Sequence, residues 1–278
     1  MMKIELEPSG ERVMENMYKR SLGAYTIYMM HIASYRFVEK ICTGRRVLDY
    51  GCGSGYGSKL ISKIADEVVG VDVSPEAIQY AGDNYRNDNL SFHQIDPGSQ
   101  LPFPDGHFDV ILSFQVIEHV SDDDSYLREA RRLLGQGGIL VTITPDRQHR
   151  LLAGQKPWNR WHLREYSQEM LVTLISRHFA IRRNLKMGAE WNVAATEMVR
   201  YRKTKWLCLP VTLPFIPESV RRFSLDLIHR ITGMLKSPSS ALHKEYGFDE
   251  SAFIISDKPP NPMNLIIVAQ AEDASQAL

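Results

Sequence analysis

The sequence predicts an α/β fold built on a parallel sheet, and three observations predict it. β-branched apolar runs alternate with helical periodicities for most of the chain. Glycines stand on alternate positions, Gly51, Gly53, Gly55 and Gly57, between an apolar run ending at Val47-Leu48 and the helical spacing of Leu60, Ile61 and Ile64. Acids close two later strands at Asp72 and Asp96, the edge where ligands gather on such sheets.

Size and charge narrow the function. The chain has 278 residues, enough for one large α/β domain with an elaboration. Lys plus Arg and Asp plus Glu both number 33, so no global field draws it to nucleic acid, and no nucleic-acid partner is expected. Cys42, Cys52 and Cys208 give neither a disulfide framework nor a C-x-x-C pair. MMKIELEPSGER carries acids where a signal peptide would be apolar, and no run approaches the roughly 20 apolar residues of a spanning helix. The expected compartment is the cytoplasm.

Residues 11–40 read as helix, with Val13, Met14, Met17, Leu22, Ile27, Met30, Ala33 and Phe37 at threes and fours. Tyr18, Tyr25 and His31 are interleaved on it, as helix-packing edges or as part of a lid. After the glycines, EVVGVDVS is a buried strand. Ser74-Pro75-Glu76 caps the helix that follows, which leaves Asp72 for another task. LSFHQID is a third strand. FDVILSFQVIEHV is a fourth strand and its exit, carrying Gln115, Val116, Glu118 and His119. Those last two either brace the loop or act as general base. His119 has no second ligand at metal spacing on its own element, so no metal is expected. GGILVTITP is a fifth strand, and an aromatic loop with Trp158, Trp161, His162 and Tyr166 leads to a helix capped by Ser167. The tryptophans either pin that loop to the core or wall a pocket. AIRRNLKMGAE and NLIIVAQA give the last two strands. Between them lies a long segment in which Glu218–Lys236 reads as an amphipathic helix.

The glycine turn is not G-x-G-x-x-G, because Tyr56 or Ser58 falls where the third glycine should stand. D-x-G-C-G-S-G, then G-V-D-V-S, Asp96, V-I-E-H-V and H-L-R-E-Y-S together resemble class I S-adenosylmethionine (SAM)-dependent methyltransferases of the ubiquinone and menaquinone subgroup. That resemblance implies a doubly wound, seven-stranded Rossmann-like sheet with the last strand antiparallel. It implies a helical cap at 1–43, a SAM-binding core at 44–190, a mostly helical insert at 191–260, and the final strand with its tail at 261–278. Asp49, Gly51 and Gly53 would hold the methionine part of SAM, with Cys52 and Gly55 in the same loop. Asp72 and Val73 would hold the ribose, Asp96 the adenine, and Gln115 and Val116 would lie beside the methyl. His119, His162 or Glu118 would take a proton. Tyr18, Tyr25, His31, Trp158, Trp161 and Tyr166 would face the acceptor, and S-adenosylhomocysteine would be the other product. The N-terminal run and aromatic loop resemble methyltransferases of bacterial surface-polysaccharide synthesis, so a sugar hydroxyl, on a small molecule or a glycan, is the first expected acceptor. A quinone precursor is the second. A binding protein that keeps the fold without transfer is the alternative of another class. The insert at 205–236 could lie on the inner membrane face or pair two copies.

Overall fold

The computed structural model describes residues 21–234 and 246–272. Helix α1 (Leu22–Cys42) opens it, with the Ser21 side chain accepting from the Ala24 amide at its N-terminus. Residues 11–20 of the predicted helix, Tyr18 among them, lie outside the described residues. β1 (Arg46–Tyr50), α2 (Tyr56–Ile61), β2 (Glu67–Asp72), α3 (Pro75–Asn84) and β3 (Leu90–Gln94) follow in the predicted order. Then come β4 (Phe108–Phe114), α4 (Asp123–Leu133), β5 (Leu134–Pro145), the short α5 (Arg147–Arg150), α6 (Gln168–Ile175) and β6 (Ala180–Ala189). Helices α7 (Trp191–Leu207) and α8 (Glu218–Met234) precede β7 (Phe253–Ser256) and β8 (Asn264–Gln270).

The sheet runs β3-β2-β1-β4-β5-β8-β6-β7. Its first five strands are parallel, and β8 lies antiparallel between β5 and β6. The order reverses between β1 and β4, the switch point where a crevice opens at the strands' carboxyl ends. Among the described residues the sheet has eight strands, which corrects the expectation of seven. Residues read as a return loop contain β7, whose Phe253 and Ile255 pair with Ala189 and Met187 on the edge of β6. An edge strand of four residues is too short for alternation to reveal.

Alternate residues of the central strands feed two cores. Val47, Val68, Val110 and Leu112 face one, with α1 and α7. Leu48, Val69 and Ile111 face the other, with α4 and α6. α8 starts at the predicted Glu218. α7 falls in the expected mostly helical insert, but its bounds are not readable from the sequence, because its buried residues, Val193, Ala194, Glu197 and Tyr201, form no continuous apolar stripe.

Candidate active site

The glycine turn joins β1 to α2 directly under the switch point. Gly53 has φ +55°, and a side chain placed there would meet nothing within 4 Å. The backbone is bare toward open space. Beside it, Asp72 Oδ2 accepts from the Gly53 amide at 2.9 Å, and Oδ1 accepts from the Ser74 amide at 2.9 Å. Each carboxylate oxygen keeps a second lone pair for a ligand hydroxyl. The donor set, a carboxylate beside open glycine backbone, fits a ligand with a ribose diol and a cationic tail.

Asp49 stands behind this loop, 1% exposed. It accepts from Ser58 Oγ at 2.6 Å and from Tyr35 Oη at 3.1 Å. Burial pushes its carboxyl up to about 6, although both hydroxyl bonds oppose the shift. Asp49 thus ties α1, the turn and α2 together. Tyr35 and Ser58 are partners that sequence reasoning missed, since nothing in their spacing links them to Asp49. Cys52 and Gly55 are buried in the turn, and Gly51 is half-buried. Across the crevice, Gln115 has φ +58°, a conformation uncommon for any residue but glycine, where β4 ends. Val116 follows it, half-buried. Val73 and Asp96 are exposed at the ends of β2 and β3.

The second half of the crevice is built from distant residues. Glu118 is fully buried. Its Oε2 accepts from Thr144 Oγ1 at 2.9 Å, and its Oε1 is buried with no hydrogen-bond partner among the described residues. Its carbonyl accepts from the Leu163 amide at 2.9 Å, which clips the aromatic loop to the end of β4. His119 and His162 meet edge to face, ring centres 4.8 Å apart. The donor atoms of Glu118, His119 and His162 lie within 4.8 Å of one another. His162 Nδ1 stands 3.0 Å from Glu165 Oε1, and His119 Nδ1 3.2 Å from the Trp161 carbonyl.

Glu165 and Arg150, both buried, are the residues this half depends on and the sequence hid. Arg150 Nε donates to both Glu165 oxygens at 3.0 Å. Burial alone would raise the Glu165 carboxyl; the Arg150 charge and the His162 bond override it and hold it well below the usual range. The Arg150 guanidinium also lies over the Trp158 ring at 4.3 Å and the Tyr201 ring at 4.9 Å. Trp158 is therefore packed against this ion pair, and its Nε1 donates to the Arg150 carbonyl at 2.9 Å. Tyr166, 2% exposed, donates to Asp123 at 2.7 Å. Trp161 is 45% exposed, with the Arg160 guanidinium 4.0 Å from its ring centre. On α1, His31 Nδ1 meets Tyr56 Oη at 2.8 Å, and desolvation lowers its pKa to about 4. Tyr25 donates to the Phe248 carbonyl at 2.6 Å.

Comparison with known proteins agrees with this geometry. Residues 48–142 match the family model of a methyltransferase domain. A Mycobacterium tuberculosis protein named "Probable S-adenosylmethionine-dependent methyltransferase" is 34% identical over 148 residues, which is 53% of each chain. The 2-methyl-6-phytyl-1,4-hydroquinone methyltransferase of Synechocystis is 29% identical over 215 residues, 74% of this chain and 64% of that one. The chain thus spans between half and two thirds of these relatives' lengths. The solved structure of the [4+2]-cyclase SpnF superposes with a TM-score of 0.56 at 18% identity, covering 90% of this chain and 82% of that one, a likeness of fold. The matched segment, residues 48–142, is the one that builds the glycine turn, Asp72, the β4 exit and most of β5, so the methyltransferase-domain match and the candidate site fall on the same stretch of chain.

Proposed function

We propose that the whole chain is a SAM-dependent methyltransferase acting on a hydroxyl of a small phenolic acceptor of the hydroquinone type. The observation that carries the reading is the open space before Gly53 beside the Asp72 carboxylate. SAM, when bound, supplies an electrophilic methyl on a sulfonium. The chain's part is to hold SAM at the turn, to orient the acceptor and to exclude water. Asp72 would bind the ribose hydroxyls, and the Gly51–Gly53 backbone would line the methionine part. Asp96 would reach the adenine from the end of β3. His119, half-buried beside Gln115 and Val116, would receive the acceptor's proton.

The acceptor class is supported by the Synechocystis relative, whose name specifies a hydroquinone. The exposed stripe of Val220, Phe223, Leu227 and Ile231 on α8 suits an acceptor met at a membrane surface. No helix among the described residues is long and apolar enough to cross a membrane. A sugar hydroxyl, including one in polysaccharide synthesis, is the second reading. It is favoured by Trp161, whose carbonyl meets His119 and whose ring is 45% exposed, a surface on which a sugar face could stack.

Calorimetric titration with SAM tests the first step. Micromolar binding is expected, weakened about 10–100-fold in Asp72→Ala through loss of hydrogen bonds to a charged group. Transfer of radiolabelled methyl to hydroquinones but not to nucleotide-sugars supports the phenolic acceptor; the reverse pattern selects the sugar. No SAM binding overturns the proposal.

A further inference from the structure

The buried Oε1 of Glu118 is the starting point. A carboxylate oxygen shut away from water without a partner is costly, on the order of 1–3 kcal/mol, and calls for an explanation. Its other oxygen is held by Thr144, so the carboxylate is fixed in place. The donor atoms of His119 and His162 lie within 4.8 Å of it and of each other. Adjacent residues of the β4 exit supply two of the groups, and the aromatic loop supplies the third. That is why spacing along one element, the ground on which a metal was not expected, missed the set.

Each histidine is oriented from behind. The Nδ1 of His162 faces the Glu165 carboxylate at 3.0 Å, and the Nδ1 of His119 faces the Trp161 carbonyl at 3.2 Å. Both partners are acceptors, so each Nδ1 is placed to donate, and in the neutral imidazole that puts the lone pair on Nε2. Carboxylate or carbonyl behind histidine, with the far nitrogen turned to an ion, is the arrangement that fixes metal-binding imidazoles. Two imidazoles and one carboxylate form a donor set for a zinc-class divalent ion with coordination positions left over. Donors around tetrahedral zinc stand about 3.4 Å apart, given bonds of about 2.1 Å. The three groups stand wider apart than a bound ion would hold them, and binding would draw them together.

We propose that Glu118, His119 and His162 bind one divalent transition-metal ion, with Glu165 as the positioning residue behind His162. With the ion bound, an oxygen of the acceptor would take an open coordination position beside Gln115 and Val116 and be acidified there, its proton leaving to water, so that the ion would replace His119 as the group that activates the acceptor. That role rests on the methyl transfer proposed above; binding of the ion does not.

The test is titration of the chelator-stripped full chain with Co2+, without SAM. Visible d–d absorption that saturates at one ion per chain and is bleached by Zn2+ is expected. His162→Ala and His119→Ala should each lose the band at stoichiometric Co2+. His119 is half-buried, so its variant serves if the His162 variant does not fold. Glu165→Gln should keep the band but weaken affinity roughly 10–100-fold. His178→Ala, whose imidazole pairs with Asp124 away from the set, should bind as the parent does. No band in the parent, or unchanged uptake by His119→Ala, overturns the proposal. Because the readout omits SAM, its failure leaves the SAM titration to stand or fall separately.

Discussion

The two halves of the crevice are held by different means. The glycine-turn half is nearly contiguous: β1, the turn, α2 and Asp72 come from one short run of chain, and backbone amides do much of the holding. The other half gathers Glu118, Thr144, Arg150, His162 and Glu165 from the β4 exit, the end of β5, α5 and the aromatic loop. Its cohesion comes from charges buried in pairs. Backbone geometry tolerates side-chain change outside the turn, whereas a buried charge network fails when one member goes. The first half should lose ligand affinity when altered, and the second should lose stability.

The largest effect tests the second half. Arg150→Met leaves the buried Glu165 without its guanidinium and with only the His162 bond, and unfolding titrations should show about 3–5 kcal/mol of destabilisation. A change under 1 kcal/mol would erase the contrast. Next comes the seam between α1 and the turn. A side chain at Gly57 would meet the Tyr35 ring at 1.9 Å. Gly57→Ala must displace that ring and with it the hydroxyl on Asp49. About 1–3 kcal/mol should be lost, with weaker SAM binding in the fraction that remains folded.

Asp49 sharpens the comparison through pH. The folded chain holds its proton more tightly than the unfolded one, with the carboxyl raised from 3.8 to about 6. This contribution is whole below about pH 4 and is lost as pH rises through about 6, a cost near 3 kcal/mol at neutral pH. Asp49→Asn should therefore raise the melting temperature at pH 7.5, with the gain fading toward pH 4. His31 acts in the opposite sense. Its folded pKa of about 4 lies below the ordinary 6.5, so its share of stability is present at neutral pH and drains away as pH falls from 6.5 toward 4. His31→Gln should flatten the acid limb of the stability profile. The smallest effect belongs to Trp161→Ala: little change in stability at an exposed ring, with KM for the acceptor raised.

The same contrast explains what could be read from the chain. The strands of the first half announce themselves by β-branched runs, and Asp72 by a helix cap that already had its own residues. The fold class and its parallel sheet were legible this way, whereas the antiparallel last strand was legible only through the family resemblance. The short edge strand β7 was not legible, and neither were the bounds of α7, whose apolar side is interrupted by the buried Glu197 and its pairing with Arg200. In the second half, the sequence exposes Glu118, His119 and His162 as candidates. It gives no sign that Arg150 and Glu165 pair beneath them, because pairing across a fold leaves no local pattern. Trp158 and Trp161, only three positions apart, look alike in sequence, yet one packs over Arg150 in the core and the other faces solvent.

The position of β8 has a consequence for how the chain is made. β5 pairs with β8 through contacts such as Val141 to Val268, and β6 reaches the sheet only across β8. A ribosome releases the segment carrying the cofactor half long before it releases the strand that joins β6 to it. During that interval β5 and β6 both present unpaired edges, the surfaces on which nascent chains aggregate. Folding of this molecule on the ribosome should therefore proceed in two stages, and demand for chaperones should concentrate in the gap between them.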